Sequence, residues 1–344
     1  SCDANFGILK RDLEIAQAMA NMRRHYNYPE TFMIQGTKNT TERAYQIYKT
    51  LSDAHMNPSV ALSLQSLNSE ALKHVKRENI SLATYRELQA RFSQDGVKTY
   101  TDLLIGLPGE TYESFVEGIN QLLKEGQHYR IQYFNLYILP NAEMGDPHYQ
   151  KQHQMQTIFT PYPHSLGEIH QAGDGIYEQQ EMVIATYSMA TEEWIKMRVF
   201  AWYTNLLHLN GKLLCLPFMI LCQVGELSYR SLFEAFMTVN DASLKTVMQI
   251  KKFFFEKAYA ILKGDPALCA LPHPSLEGQE AWIEPYEYQL VSFLNPQWLE
   301  QFYQEAEQLL QEFLHSKSIK LPASLLSETL QLNKAFCFSQ TTGQ

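Results

Sequence analysis

No C-x-x-C or C-x3-C-x2-C pattern occurs anywhere in the 344 residues. The five cysteines, Cys2, Cys215, Cys222, Cys269 and Cys337, stand far apart and are odd in number. That argues against a disulfide framework and fits a reducing cytoplasm. Basic residues are in deficit, 28 against 37 acidic, and no block of Lys or Arg offsets the net charge of −9. A nucleic-acid backbone is therefore not the expected partner. Long apolar runs are missing too. The longest, Leu213 to Cys222, contains Pro217 and is about half the roughly twenty residues a membrane-spanning helix needs. No secretory signal is visible, because Ser1-Cys2-Asp3 leads directly into folded-looking sequence. Nor is there an internal repeat. What is present is a globular composition, 45% apolar and 19% charged, long enough for one large or two ordinary domains.

Over roughly the first 140 residues two periods alternate. Short apolar runs at Thr31–Gln35, Ser59–Leu67, Lys98–Ile105 and Arg130–Leu139 read as strands. Helical spacing lies between them. Ile15, Met19 and Met22 share one face, as do Ala44, Ile47 and Leu51, then Tyr85, Leu88 and Phe92, then Phe115, Ile119, Leu122 and Leu123. Asp12 and Thr111 suit helix N-termini. With a strand entering just before Asp3, the count is five β units and four helices. This predicts an α/β fold whose near-continuously apolar strands form a parallel sheet covered by helices. Periodicity alone leaves a doubly wound sheet and a barrel equally open.

Residues 141–180 are rich in His, Gln, Pro and Gly and read as a long connection. Beyond them the pattern is mainly helical. Ala190–Leu209 carries Trp194, Met197 and Ala201 on one side, and Leu299, Phe302, Ala306, Leu309 and Phe313 keep three-four spacing. A short strand or two is expected near "EAWIEPYEY". The expected division is a barrel-like part over residues 1–145, a linker over 146–180 and a mainly helical domain over 181–338.

Function in parallel α/β folds gathers at the carboxyl ends of strands. The five ends read "CDANFG", "IQGTKN", "SLQSLN", "LIGLPGE" and "NLYILPNAE", each polar or glycine-bearing directly after an apolar run. Five such ends in series predict a lined site.

The order "DANFG", "LQSLNSEALKHVKREN", "TDLLIGLPGET", "LYILPNAE" resembles the radical S-adenosylmethionine (radical SAM) enzymes, nearest the branch carrying an upstream cobalamin-binding domain. The motif-level resemblance covers about residues 1–145, and "EMVIATYSMATEEW" is similar to that branch's C-terminal extension. It implies a partial (β/α)6 TIM-like barrel followed by a mainly helical region. It also implies a 4Fe–4S cluster that chelates S-adenosylmethionine and cleaves it to a 5′-deoxyadenosyl radical. Methyl transfer to an unactivated carbon and radical rearrangement are both open outcomes, with cobalamin as the further cofactor in that branch. The electron donor would be a protein such as a flavodoxin or ferredoxin. The substrate class stays open between small molecule, sugar, lipid and peptide.

Carried over residue by residue, Asp3 and Asn5 stand where the family meets the methionine amino group, for which a carboxylate and an amide acceptor are suited. Ser63, Gln65 and Ser66 fall at the ribose hydroxyls. Arg77 matches the arginine that several relatives use on the methionine carboxylate, and a guanidinium fork fits that group. Gly106, Leu107, Pro108, Gly109 and Glu110 would pack against adenine, with Glu110 also able to cap the helix at Thr111. Asn135, Leu139 and Pro140 would finish that pocket. Gln35 and Lys38 point toward the same mouth. No catalytic residue and no metal ligand is assigned. His128, His148, His153, His164 and His170 show no clean metal-ligand spacing.

The cluster cysteines, the first barrel strand with its helix, and a cobalamin domain do not appear in this chain. It is expected to be a fragment of a longer enzyme, inactive as it stands, with an unpaired parallel edge that lowers solubility. Two other classes compete with this reading. One is a non-catalytic remnant that binds nucleotide or a partner protein in the same pocket. The other is a barrel hydrolase or lyase using Asp3, Asp102 or Glu110 as acid and base.

Overall fold

A computed structural model describes residues 5–36, 42–56, 59–162, 178–273, 280–322 and 324–341. The chain separates into two compact units, residues 1–104 with 121–134, and residues 105–120 with 135–344.

In chain order the first elements are α1 (Lys10–Tyr26), α2 (Glu42–Asp53), β1 (Ser59–Ala61), α3 (Ser69–His74), α4 (Leu82–Gln94), β2 (Lys98–Ile105), α5 (Tyr112–Lys124) and β3 (Ile131–Asn135). The three strands form one sheet in the order β1-β2-β3, with β1 parallel to β2 from Ser59↔Lys98 to Ala61↔Tyr100. Two isolated parallel bridges, Phe6↔Gly36 and Gln65↔Leu103, extend the parallel pattern. Among the described residues, Thr31–Gln35 is therefore not a strand but an extended segment ending in a single bridge. The fold is mixed α/β, and over the first 140 residues the described part holds three named strands where five β units were expected.

The strands also differ in kind from a sheet buried on both faces. β2 alternates strictly, with Thr99, Thr101, Leu103 and Ile105 buried while Tyr100, Asp102 and Leu104 stay partly accessible. The β1 segment does the same, Val60, Leu62 and Leu64 buried against Ala61, Ser63 and Gln65. Helices thus cover one face, and the other is a polar concave wall.

The covered face is pinned by hydrogen bonds as well as by apolar burial. Tyr85 of α4 shares a hydrogen bond with Thr101 Oγ1 at 2.7 Å, and Gln127 Nε2 donates to Tyr85 Oη at 3.1 Å. Gln127 also reaches Thr99 and Thr101, at 3.4 and 3.3 Å. All four side chains are buried. Removing the amide strands hydroxyls in a dry layer. Gln127→Leu should therefore cost about 1–3 kcal/mol, read as a lower denaturant midpoint with unchanged m-value.

Against expectation, α1 faces the core with its alanines. Ala16 and Ala20 pack with Phe6, Ile47, Leu51 and Met56, Met19 is partly buried, and Ile15 and Met22 are 40% and 43% exposed. Small side chains allow close approach to α2, which the bulkier face could not make. Asp12 closes the entry of α1, its Oδ2 accepting from the Gly7 and Leu9 N–H groups at 2.8 and 2.9 Å. The predicted faces of α2, α4 and α5 are buried as read.

The second unit continues with α6 (Pro147–Gln152), β4 (Gln156–Pro161), β5 (Gln179–Ala185), α7 (Thr191–Leu207), α8 (Cys215–Val224), α9 (Tyr229–Thr238) and α10 (Lys245–Leu262). It ends with β6 (Cys269–Pro272), β7 (Glu280–Ile283), α11 (Pro285–Ser292), α12 (Pro296–Ser316) and α13 (Leu325–Thr341). Residues 146–180, read as a linker, carry α6 and β4, and β4 pairs antiparallel with β5. β6 and β7 form a second antiparallel pair, so one strand lies where one or two were expected. α7 is buried not on one side but nearly all round, from Trp194 to Leu207, as the central helix of its unit. α12 buries Leu299, Phe302, Ala306 and Leu309, while Phe313 is only partly covered. Among the described residues no helix is long and apolar enough to cross a membrane.

Candidate functional site

The polar wall of the first unit closes around a cavity of about 220 Å³ lined by Gln35, Ser63, Gln65, Arg77, Tyr100 and Asp102, among others. Its inner side chains come from alternate positions of the β1 segment and β2, so the pleat itself aims them into one space. Asp102 Oδ2 accepts from Ser63 Oγ at 2.5 Å. With its amide nitrogen toward the carboxylate, Gln132 donates to Asp102 Oδ1 at 3.0 Å and accepts from Arg130. Burial nevertheless holds the Asp102 carboxyl above the usual aspartate range, against the opposing pull of Ser63, Arg130 and Arg77.

Arg77 is brought to this wall by a reversal of the chain. Asn68 Oδ1 caps the short helix α3 through Glu70 N and Ala71 N. Lys76 then takes a left-handed φ of 52°, and Arg77 N returns to Leu72 O at 2.9 Å. The guanidinium of Arg77 donates to the Ser63 carbonyl, and its Nε donates to Asn79 Oδ1 at 3.2 Å. Half-burial lowers its pKa, opposed by Asp102. It is not a freely solvated surface arginine.

Gln65 is the strained member. Its φ is +62° while its backbone stays in the ladder, N–H to Asp102 O and C=O from Leu104 N, both at 2.8 Å. A non-glycine held left-handed at a strand end, with its side chain in a cavity, is the kind of cost that functional sites carry.

The other expected residues fall as follows. Ser66 lies on the opposite, buried face, where its Oγ accepts from Asn68 N at 2.9 Å, so of the three ribose candidates only Ser63 and Gln65 line the cavity. The period of two that aims Ser63 and Gln65 inward turns Ser66 away. Asn5 is exposed in a turn outside this cavity. Asp3, Lys38, His164 and His170 lie outside the described residues. In the sequence Asp102 figures only as an acid–base candidate of the competing hydrolase or lyase reading. The signal that finds it is alternation, because Tyr100, Asp102 and Leu104 share one face while Thr99, Thr101 and Leu103 share the other.

Within the second unit, Leu107-Pro108-Gly109-Glu110 is a tight turn closed by Glu110 N to Leu107 O at 3.1 Å. Gly109 has φ +90°, which with Pro108 before it suits a type II turn. Residues 106–110 are all buried. Ser188 fastens the corner, its Oγ accepting from Gly109 N at 2.8 Å and donating to Glu110 O at 2.9 Å. The Glu110 carboxylate accepts from the Ser114 hydroxyl, while the side chain that caps α5 is that of Thr111, whose Oγ1 accepts from Ser114 N at 3.1 Å. Asn135 is buried, and its Oδ1 has no hydrogen-bond partner among the described residues. Leu139 is 66% exposed and Pro140 is exposed.

For metals the donor set is poor. No group of three or more His, Cys, Asp or Glu among the described residues is arranged to hold an ion. Burial pushes the Cys215 and Cys269 thiols up to about 11, the reverse of what thiolate ligands need. The described residues do not fit an iron–sulfur cluster.

An α/β wall with a carboxylate, an amide, a hydroxyl and a guanidinium converging on one cavity defines a polar-ligand site. Comparison with known proteins gives it a context. The chain is 35% identical over 249 residues to 2-(S-pantetheinyl)-carbapenam-3-carboxylate methyltransferase of Streptantibioticus cattleyicolor, covering 72% of this chain and 36% of that protein. It is 38% identical over 212 residues to the cobalamin-dependent radical SAM methyltransferase TokK of Streptomyces tokunonensis, covering 61% of this chain and 30% of that protein. The chain thus spans about a third of the length of these curated relatives. No family model matches it. The relationship is to methyltransferases, one of them of the radical SAM type, at moderate identity.

Proposed function

We propose that this chain carries the S-adenosylmethionine-binding portion of a cobalamin-dependent radical SAM methyltransferase, in the partial barrel of that family. The observation that carries the reading is the convergence of Ser63, Gln65, Arg77 and Asp102 on one cavity. Its volume of about 220 Å³ is below that typical of whole-ligand pockets, so it suits part of the cofactor, its ribose and methionine end. Asp102 and Gln65 are acceptors for ribose hydroxyls, with Ser63 orienting the Asp102 carboxylate. Arg77 offers its fork to the methionine carboxylate.

Bound cofactors would supply the radical and methyl-transfer chemistry, while these side chains bind, orient and keep water out. The cluster and the cobalamin call for residues other than those described. The methyl acceptor is open, and the first compound to try is a pantetheinyl-carbapenam carboxylate, because one relative is named for it.

Asp102 gives the reading a pH signature. Its carboxyl must be ionised to accept two hydroxyls, and burial raises its pKa. S-adenosylmethionine affinity should be full above that raised pKa and fall as pH drops through it. The fall should begin at higher pH than an unperturbed aspartate would give. Asp102→Asn should flatten the profile. Affinity that follows the same pH curve in both proteins would rule out Asp102 as the ribose acceptor. Calorimetric titration of S-adenosylmethionine into the full-length protein between pH 4 and 8 reads this directly, and absence of binding at every pH sinks the proposed function.

A further inference from the structure

Asp102 is held at both carboxylate oxygens, and the two contacts differ in kind. Ser63, which lines the cavity, donates to Oδ2. Gln132 of β3, which is outside the lining, donates to Oδ1 at 3.0 Å. Gln132 therefore acts on a ligand only through Asp102. The pleat explains the contact. β3 buries Ile131, Tyr133 and Asn135 and leaves Gln132 partly accessible, beside the face of β2 that carries Tyr100, Asp102 and Leu104. The bond from Thr101 N to Arg130 O at 3.1 Å sets the two strands alongside each other.

An amide can present either end, so its neighbours decide its orientation. Here an ionised carboxylate only accepts and a guanidinium only donates. The Gln132 nitrogen thus faces Asp102 and its oxygen faces Arg130. Turned the other way, acceptor would meet acceptor and donor would meet donor. Arg130 is itself placed by Tyr100, whose ring centroid lies 5.8 Å from the guanidinium, and by its backbone N–H, which donates to Gln127 Oε1 at 3.4 Å. The charged and titratable groups facing Asp102 are Arg77 from the reversal after α3, Tyr100 on β2 and Arg130 before β3, while Tyr48 of α2 lines the same cavity. Both arginines oppose the burial that raises the Asp102 pKa. Arg77 is already engaged with the Ser63 carbonyl and Asn79, which leaves the second carboxylate oxygen to the β3 pair.

We infer that Gln132 and Arg130 are positioning residues for this site, Arg130 fixing the orientation of the Gln132 amide and the amide holding the Asp102 carboxylate ionised and aimed at the hydroxyls of its ligand. The identity of that ligand rests on the proposed function; the hold on Asp102 does not.

The test is calorimetric titration of S-adenosylmethionine into full-length variants between pH 4 and 8. Gln132→Leu removes the donor and so favours the protonated acid. Its loss of affinity on acidification should begin about one pH unit higher than in the wild type. Gln132→Glu keeps the shape and the Arg130 contact but turns an acceptor toward the carboxylate, and should move that loss upward at least as far. It also carries the test if Gln132→Leu folds poorly. Arg130→Met should shift the loss in the same direction, and Arg130→Lys should restore most of the wild-type profile. At pH 8 Gln132→Leu should bind within about tenfold of the wild type. An acid limb that stays in place in both Gln132 variants overturns the inference. So does a loss of affinity equal at every pH, which is the mark of lost packing. A wild-type protein that binds no S-adenosylmethionine sinks the proposed function alone, because Asp102 can be read without ligand. Its carbon-13 carboxyl resonance, assigned by its disappearance in Asp102→Asn, should titrate at higher pH in Gln132→Leu and Gln132→Glu, and an unmoved titration in both overturns the inference.

Discussion

Arg77→Ala should lower S-adenosylmethionine affinity by about 10- to 100-fold and shift the thermal midpoint little. A hydrogen bond to a charged group is worth about 1.5–3 kcal/mol, and each 1.4 kcal/mol is a factor of ten. The guanidinium is half-buried and anchored on one side by the Ser63 carbonyl and Asn79 Oδ1, so it is pre-oriented and loses little entropy on binding a carboxylate. Lysine restores the charge but not the fork, so Arg77→Lys should recover only part of the affinity. Asn79 also donates to Ser66 O at 2.8 Å, which keeps the loop closed without Arg77 and separates the binding effect from collapse of the wall. Titration calorimetry of the three proteins reads the result. Equal affinities would return Arg77 to a purely structural role.

The largest stability effect should come from Trp202→Ala in the second unit, about 3–5 kcal/mol. Trp202 is 1% exposed in the middle of α7, its ring 5.6 Å from that of Phe254 and beneath the Arg198 guanidinium at 4.9 Å. Alanine removes the ring from a site closed on every side and strips the buried Arg198 of a π-face. Against a typical total of about 5–15 kcal/mol, such a loss is most of the margin for a modest domain. Trp202→Phe should recover much of it. Chemical denaturation followed through near-ultraviolet circular dichroism measures both. A change under about 1 kcal/mol for alanine would mean that α7 is not the rigid centre of its unit.

What was legible in the sequence depended on how directly a pattern maps to burial. The α4 and α5 faces, Tyr85-Leu88-Phe92 and Phe115-Ile119-Leu122, were readable because large apolar side chains at helical spacing have few alternatives. α1 misled because a hydrophobicity count favours Ile15 and Met22, whereas close packing against α2 selects Ala16 and Ala20. β2 reads as a strand, but in "TYTDLLI" the near-continuous apolar character expected of it is not what the structure uses. Its strict alternation of burial shows a sheet with one polar face, and that face carries the site. The resemblance puts Ser66 with Ser63 and Gln65 at the ribose hydroxyls, whereas a strand-like period of two turns Ser66 away from both. The left-handed φ of Gln65 and the return of Arg77 across Lys76 depend on tertiary closure and leave no mark in local composition. "LIGLPGE" was legible as a strand-to-helix corner. Its fastening by Ser188, about eighty residues on, was not, since nothing local announces a partner so distant in the chain.

The central claim is that the Ser63–Gln65–Arg77–Asp102 wall binds S-adenosylmethionine. Hydrogen–deuterium exchange on the full-length protein, with and without the cofactor, tests it most directly. Slowed exchange over residues 62–66, 76–79 and 100–104, requiring about 10- to 100-fold more cofactor in Arg77→Ala, is the predicted result. Cofactor-dependent protection that leaves those three segments unchanged would contradict it.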